Sequence, residues 1–228
     1  MRSYRIYLYR HGMTDGNLEG RYIGVTDVDL CPQGVEQLLK LKQEQEYPGV
    51  GKLYASPLKR CVQTAGLLYP DMPIHTVEGI REFDFGAYEN RTIAELKEDK
   101  DFVRWMEAGA TQAPKGGEDP AEFSARIREG FDTIIKDMMK HKISSAAVVT
   151  HGGVIMTALG MCGLPRMKPT NWAVEPGHGY SILVNASLWG NTASFEICDP
   201  LPYPTDEEYE IKNYDVLDVE ELRRRASE

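Results

Sequence analysis

The segment YRIYLYRHGMTDGN, residues 4–17, begins as a strand and ends as chemistry. Tyr4 to Tyr9 is aromatic or aliphatic except for Arg5, and Arg10, His11 and Gly12 follow at once. An ordinary strand end carries a polar residue or two. This one sets a fixed cation, a titratable imidazole and an uncovered backbone within three residues, so the other strand ends decide what meets them.

Five further runs read as strands: KLYAS (52–56), IHTV (74–77), AAVVT (146–150), YSILV (180–184) and ASFEI (193–197). Most are β-branched or aromatic and are bounded by loop residues. Helical spacing falls between them. In 33–46, Val35, Leu38, Leu39 and Leu41 share a side; in 57–69, Leu58, Cys61, Ala65 and Leu68 recur at intervals of three or four. The clearest helix is 120–140, striped by Phe123, Ile127, Phe131, Ile134, Ile135 and Met138. Asp119, Pro120 and Glu122 supply its cap, first-turn proline and reciprocal acid. Alternating strands and helices predict an α/β fold, a largely parallel sheet covered on both faces. GATQAPKGGEDP (109–120) reads as a loop.

The chain has 228 residues, 42% hydrophobic and 27% charged, which suits a globular domain with a sizeable core. No run approaches the roughly 18 apolar residues of a membrane span, and Arg10 interrupts any signal-like stretch, so a cytoplasmic protein is expected. Cys31, Cys61, Cys162 and Cys198 are scattered without zinc spacing and read as reduced thiols. A net charge of −9 argues against a nucleic-acid partner. From Thr205 to Glu228 nine acids face four bases, so the expected division is a domain over 1–200 and an acidic extension over 201–228.

In open α/β sheets, ligands sit beyond the carboxyl ends of the strands. After 52–56 comes SPLKR, with Arg60 in the first turns of a helix; after 146–150 comes HGG, with His151 at the strand end and Gly152 opening the next helix. After 74–77 comes EGIREFDFGAYEN, with Glu82, Asp84 and Glu89. Two arginines, two histidines, two helix starts and an acid suit a phosphoryl group. Guanidinium forks grip its oxygens, helix-start N–H groups add donors, a neutral imidazole attacks phosphorus, and a carboxylic acid protonates the leaving oxygen. Such a site supplies its positive charge without metal or cofactor.

RHGMTDGN, GRYIGVTDVDLCPQG, SPLKRCVQTA, REFDFGAYEN and VVTHGGVI, in that order, resemble the histidine phosphatase superfamily, the phosphoglycerate mutase-like group, over about residues 4–198. The pattern is most similar to α-ribazole phosphatases and broad-specificity phosphatases. The resemblance implies a three-layer α/β/α sandwich around a mixed, mainly parallel sheet, and hydrolysis of a small phosphomonoester through phosphohistidine. It implies His11 as nucleophile, Glu82 as general acid, and Arg10, Arg60, His151 and Asn17 on the phosphate, with Gly12 and Gly152 lending backbone. Asp84 or Glu89 is the alternative acid, and loop capping the alternative role of Asn17. Arg21, Glu118 and His178 are candidate substrate contacts, with a helix-end role the alternative for Glu118 and an ordinary loop role for His178. His75 and His141 read as surface or structural residues, and Trp105, Trp172 and Met106 as packing or pocket wall.

Three positions depart from the family pattern. Met13 stands where many members have Glu, and Met156 where several have Arg, which puts a substrate anchor in doubt. Cys31 stands where Thr often caps the helix begun by Pro32, a change expected to weaken the cap by about 1 kcal/mol. Two rivals stand beside the hydrolase: a cofactor-dependent phosphoglycerate mutase and a non-catalytic binder of phosphorylated ligands. Segments 100–120 and 165–180 are expected to build the leaving-group pocket. Oligomeric state has no sequence signal.

Overall fold

The structure, a computed structural model, describes residues 3–205; residues 206–228, most of the acidic extension, lie outside it. The strands are β1 (Ser3–Arg10), β2 (Gln45–Glu46), β3 (Lys52–Ala55), β4 (Ile74–Thr76), β5 (Ser145–Thr150), β6 (Gly163–Leu164), β7 (Gly179–Asn185), β8 (Phe195–Leu201) and β9 (Tyr203–Pro204). The helices are α1 (Asp15–Leu18), α2 (Pro32–Glu44), α3 (Lys59–Leu68), α4 (Ile93–Leu96), α5 (Lys100–Glu107), α6 (Pro120–His141), α7 (Gly152–Cys162) and α8 (Ala186–Thr192). Seven strands form one sheet in the order β4-β3-β5-β1-β7-β8-β6, and β2 pairs with β9 in a small second sheet. The four strands from β4 to β1 run parallel, while β7 is antiparallel to both neighbours. The sheet is therefore mixed and mainly parallel, as expected.

Side-chain alternation explains the layers. Tyr4, Ile6 and Leu8 of β1, Tyr54 of β3 and Ala146 and Val148 of β5 face α6 and α7 in one core cluster. Tyr7, Tyr9, Leu53, Ala55, Ala147 and Val149 face the other way, onto α2 and α3. β1 and β5 are buried on both faces, which is why they read as near-continuous apolar runs. Truncating Leu8, fully buried, to Ala should cost roughly 2–5 kcal/mol.

Helix starts follow local chemistry. Asp119 caps α6 by accepting from Ala121 N, with Pro120 in the first turn. Cys31 does cap α2: its Sγ accepts from Gly34 N at 3.3 Å and donates to Met13 O at 3.4 Å. On α2 only Leu38 of the expected apolar side is fully buried, and Leu39 is exposed. The strand expected at 193–197 starts later, because Ala193 takes a left-handed conformation (φ 48°) that ends α8; it then runs on through Leu201, past the expected domain boundary at 200. Cys31, Cys61, Cys162 and Cys198 are free thiols, the first three buried. Among the described residues no helix is long and apolar enough to cross a membrane, and no three His, Cys, Asp or Glu cluster as a metal site would need.

Candidate active site

Register places the two histidines side by side. Arg10 pairs with Thr150 across β1 and β5, so the next residues, His11 and His151, leave adjacent strands together. His11 N donates to Thr150 O at 2.9 Å, and the imidazole centroids lie 5.2 Å apart at 65°. Ala55 pairs with Val149, which sets Ser56 beside them; its Oγ lies 2.7 Å from His151 Nε2.

Both imidazoles are buried, and burial first, then the Arg60 guanidinium, holds each well below the ordinary histidine range. His11 is therefore neutral. Its Nδ1 sits 2.6 Å from Gly12 O and, as the donor there, keeps the ring proton, which leaves the lone pair on Nε2. The other imidazole, His151, is the one the resemblance puts on the phosphate. In the protein alone it is neutral too, and a nearby phosphoryl dianion would move it upward. Ser56 Oγ accepts weakly from Leu58 N at 3.5 Å, so its hydroxyl proton is free to go to His151 Nε2.

Arg60 is fully buried and Arg10 half-buried, and neither has an ion-pair partner among the described residues. Arg10 donates from its NH1 to Val174 O at 2.7 Å; Arg60 donates to Thr26 O at 2.8 Å and Gly24 O at 2.6 Å. Neither Nε has a partner among the described residues. Charge held among carbonyls with donors to spare is the electrostatics of an anion site.

Glu82 is buried opposite. Its Oε1 accepts from Phe83 N at 2.9 Å and its Oε2 from Gly153 N at 3.0 Å, in the first turn of α7. Burial raises its pKa, against the pull of those two N–H groups and of Arg60 and Arg10. A Cβ on Gly153 would come 2.4 Å from Glu82 Oε1, so this carboxyl seats only against glycine. The rival acids are committed elsewhere: Asp84 accepts from Gly86 N, and Glu89 accepts from the backbone of Gly24, Val25, Thr26 and Phe85.

A cavity of about 240 Å³ opens here, bordered by Arg10, His11, Asn17, Glu82, Gly152 and Gly153, with Arg21, Tyr22, Ile23, Phe85, Met156, Ala173 and Val174 above them. Asn17 has the capping role and also borders the cavity. Its Oδ1 accepts from Thr14 N at 3.1 Å in a capping box, so the amide NH₂ is the end left for the cavity. Gly12 serves packing: the space of its Cβ is taken by Leu38, at 2.5 Å. Glu118 is not a cavity residue, because it pairs with Arg126 at 2.5 Å, and Arg126 in turn holds Glu82 O at 2.8 Å. His178 does not border the cavity either; its Nδ1 lies 3.1 Å from Pro176 O and its carbonyl accepts from Arg10 N. Arg21 borders the cavity but is bound to Glu19, Glu95 and Asn90 O. Of the segments expected to wall the pocket, 165–180 contributes Ala173 and Val174, whereas 100–120 stands behind, its Trp105 edge-on to Tyr22 and Phe85.

Ser56 and Arg126 escaped the sequence reading as site residues, and Glu89 entered it only as an alternative acid. Each acts on a backbone or on another side chain, so only the SPLKR and GAYEN motifs in which Ser56 and Glu89 stand hinted at them.

A neutral histidine, two guanidiniums without an ion-pair partner among the described residues and a buried carboxyl with a raised pKa, gathered at one cavity, suit phosphoryl transfer through histidine. The family model of the histidine phosphatase superfamily (branch 1) matches residues 6–189, and the chain belongs to that family as a phosphatase. It is 26% identical over 186 residues to an adenosylcobalamin/α-ribazole phosphatase of Escherichia coli, covering 79% of this chain and 90% of that protein. It is 30% identical over 151 residues to phosphoserine phosphatase 1 of Hydrogenobacter thermophilus, covering 64% and 70%. In fold it matches a crystal structure of phosphoglycerate mutase from Bacillus anthracis with a TM-score of 0.66 at 22% identity, over 94% of this chain and 98% of that one.

Proposed function

We propose that the protein hydrolyses small organic phosphomonoesters in two steps. His11 Nε2 attacks phosphorus in line; the N–P bond forms as the ester P–O bond breaks, and Glu82 gives its proton to the departing oxygen. Water then attacks the phosphohistidine, Glu82 takes a proton from it, the N–P bond breaks and inorganic phosphate leaves. Arg10 and Arg60 hold the equatorial oxygens through both steps, and His151 and Asn17 each offer an N–H. The observation that carries this reading is the neutral His11 beside two arginines that lack an ion-pair partner among the described residues, with its Nδ1 proton already committed. α-Ribazole phosphate and sugar phosphates are candidate substrates, by likeness to the relatives. Cytoplasmic placement and monomeric phosphoester substrates, rather than nucleic acid or membrane, belong to the same reading and rest on the acidic charge and the scattered thiols.

The test is phosphate release from a panel of phosphomonoesters in the presence of chelator, with His11→Ala alongside. Release that survives chelation and vanishes in the variant is expected. Full activity in the variant, or activity removed by chelation, would refute the mechanism.

A further inference from the structure

We infer that the wall above the phosphate floor selects an uncharged leaving group with an aromatic or otherwise apolar face, and turns away leaving groups that carry a carboxylate; this rests on the hydrolase reading above. The floor is charged, and the wall is apolar apart from Arg21. Tyr22 and Phe85 meet edge to face at 5.1 Å, and Ile23, Met156, Ala173 and Val174 complete the lining. Phe85 is backed by Phe83 at 5.2 Å and Tyr22 by Phe102 at 5.7 Å, so the two cavity rings are held in place from behind. Held aromatic rings receive a flat apolar group with little loss of side-chain freedom.

A carboxylate would need a cation in that wall. The one guanidinium there, Arg21, is already bound by two carboxylates: Glu19 at 2.5 Å and Glu95 at 3.3 Å. A further donor is spent on Asn90 O at 2.8 Å. Arg10 borders the floor, and it and Arg60 are given to the phosphoryl oxygens in the hydrolase reading. Glu82 adds negative character once ionised. A leaving-group carboxylate would therefore exchange water for methyl and ring surface without a partner, a loss of about ten- to hundredfold in kcat/KM.

The experiment compares benzyl phosphate, glycerol 1-phosphate and 3-phosphoglycerate on the full-length protein with chelator present. All three release an alkyl alcohol, so intrinsic reactivity does not set the ranking. Benzyl phosphate is expected first and 3-phosphoglycerate last, by at least about tenfold. Met156→Lys, which plants a cation in the wall, should raise 3-phosphoglycerate against benzyl phosphate by about tenfold or more, mainly through KM. Phe85→Leu is the second variant, should the first misfold, and should shrink the benzyl advantage over glycerol 1-phosphate. In the wild type, 3-phosphoglycerate turned over as well as benzyl phosphate would overturn this inference and leave the hydrolase standing. An unchanged ratio in both variants would do the same. No release from any of the three would overturn the hydrolase and the inference together.

Discussion

The two ends of the sheet treat charge in opposite ways. Where β3 begins, Lys52 meets Asp137 at 2.5 Å, and the Tyr54 hydroxyl donates to the same oxygen at 2.5 Å. The charges cancel within the protein, and hydrogen bonds from Lys52 and Tyr54 pull the Asp137 pKa down to about 2. Where β1 and β5 end, Arg10, half-buried, and Arg60, fully buried, are held by carbonyls, and His11 and His151 are kept neutral beside them. A cancelled pair stabilises the fold and does little else. Cations held without a counter-charge of their own serve the anion they bind.

Glu82→Gln should break the contrast most sharply. Removing the proton donor should lower kcat by about 10²–10⁴ for alkyl phosphates. The loss should be far smaller for p-nitrophenyl phosphate, whose leaving group departs unprotonated. The pH profile follows from the same groups. Activity needs Glu82 protonated, so it should fall as pH rises through that raised pKa. It needs His11 neutral, so it should hold on the acid side until pH drops through the lowered His11 pKa. An alkaline limb that persists in Glu82→Gln would assign that limb to another group.

Ser56→Ala removes the hydroxyl at His151 Nε2 and should cost about tenfold in kcat with the fold intact, as read by circular dichroism. An unchanged kcat would mean that Ser56 only fills space. Glu89→Gln offers one acceptor where the carboxylate serves the N–H groups of 24–26 and Phe85, whose loop carries the two carbonyls that hold Arg60. Loss of about 1–3 kcal/mol in stability is expected, with a higher KM. Denaturant midpoints and kinetics on the same samples check both.

Asp137→Asn should show the smallest effect: up to about 1 kcal/mol, since the pair is partly solvent-exposed, and no change in kcat. Its folded pKa is depressed, so the stability it contributes is present above the ordinary aspartate range and is lost as pH falls toward about 2. The histidines add a second acid effect. With folded pKa values lowered, both bind protons more readily when unfolded, so stability should decline once pH drops below about 6.5. Thermal melts of the wild type and His151→Gln between pH 5 and 7.5 separate the two ends of the molecule.

The strand ends were legible because a strand buried on both faces writes a continuous apolar run, and α6 because its stripe and cap agree. α7 was visible only at its first two glycines, since a helix apolar nearly all round carries little periodicity. β8 was misplaced because Cys198, Asp199 and Pro200 hide a strand whose side chains lie half in solvent. Within the site, side chains aimed at substrate could be proposed from type and position. Glu118 could not be told from them: an acid near a helix start looks the same whether it meets a ligand or Arg126. The wall was least legible, because Tyr22, Phe85 and Met156 come from three distant segments that only the fold brings together.

The most direct measurement is rapid quenching during turnover of a ³²P-labelled ester, followed by mapping of the covalent label. Label that survives alkali, is lost in acid, lies on the peptide containing His11 and is absent from His11→Ala is expected. Turnover without such label, or label that alkali removes from a carboxylate, would contradict the phosphohistidine mechanism.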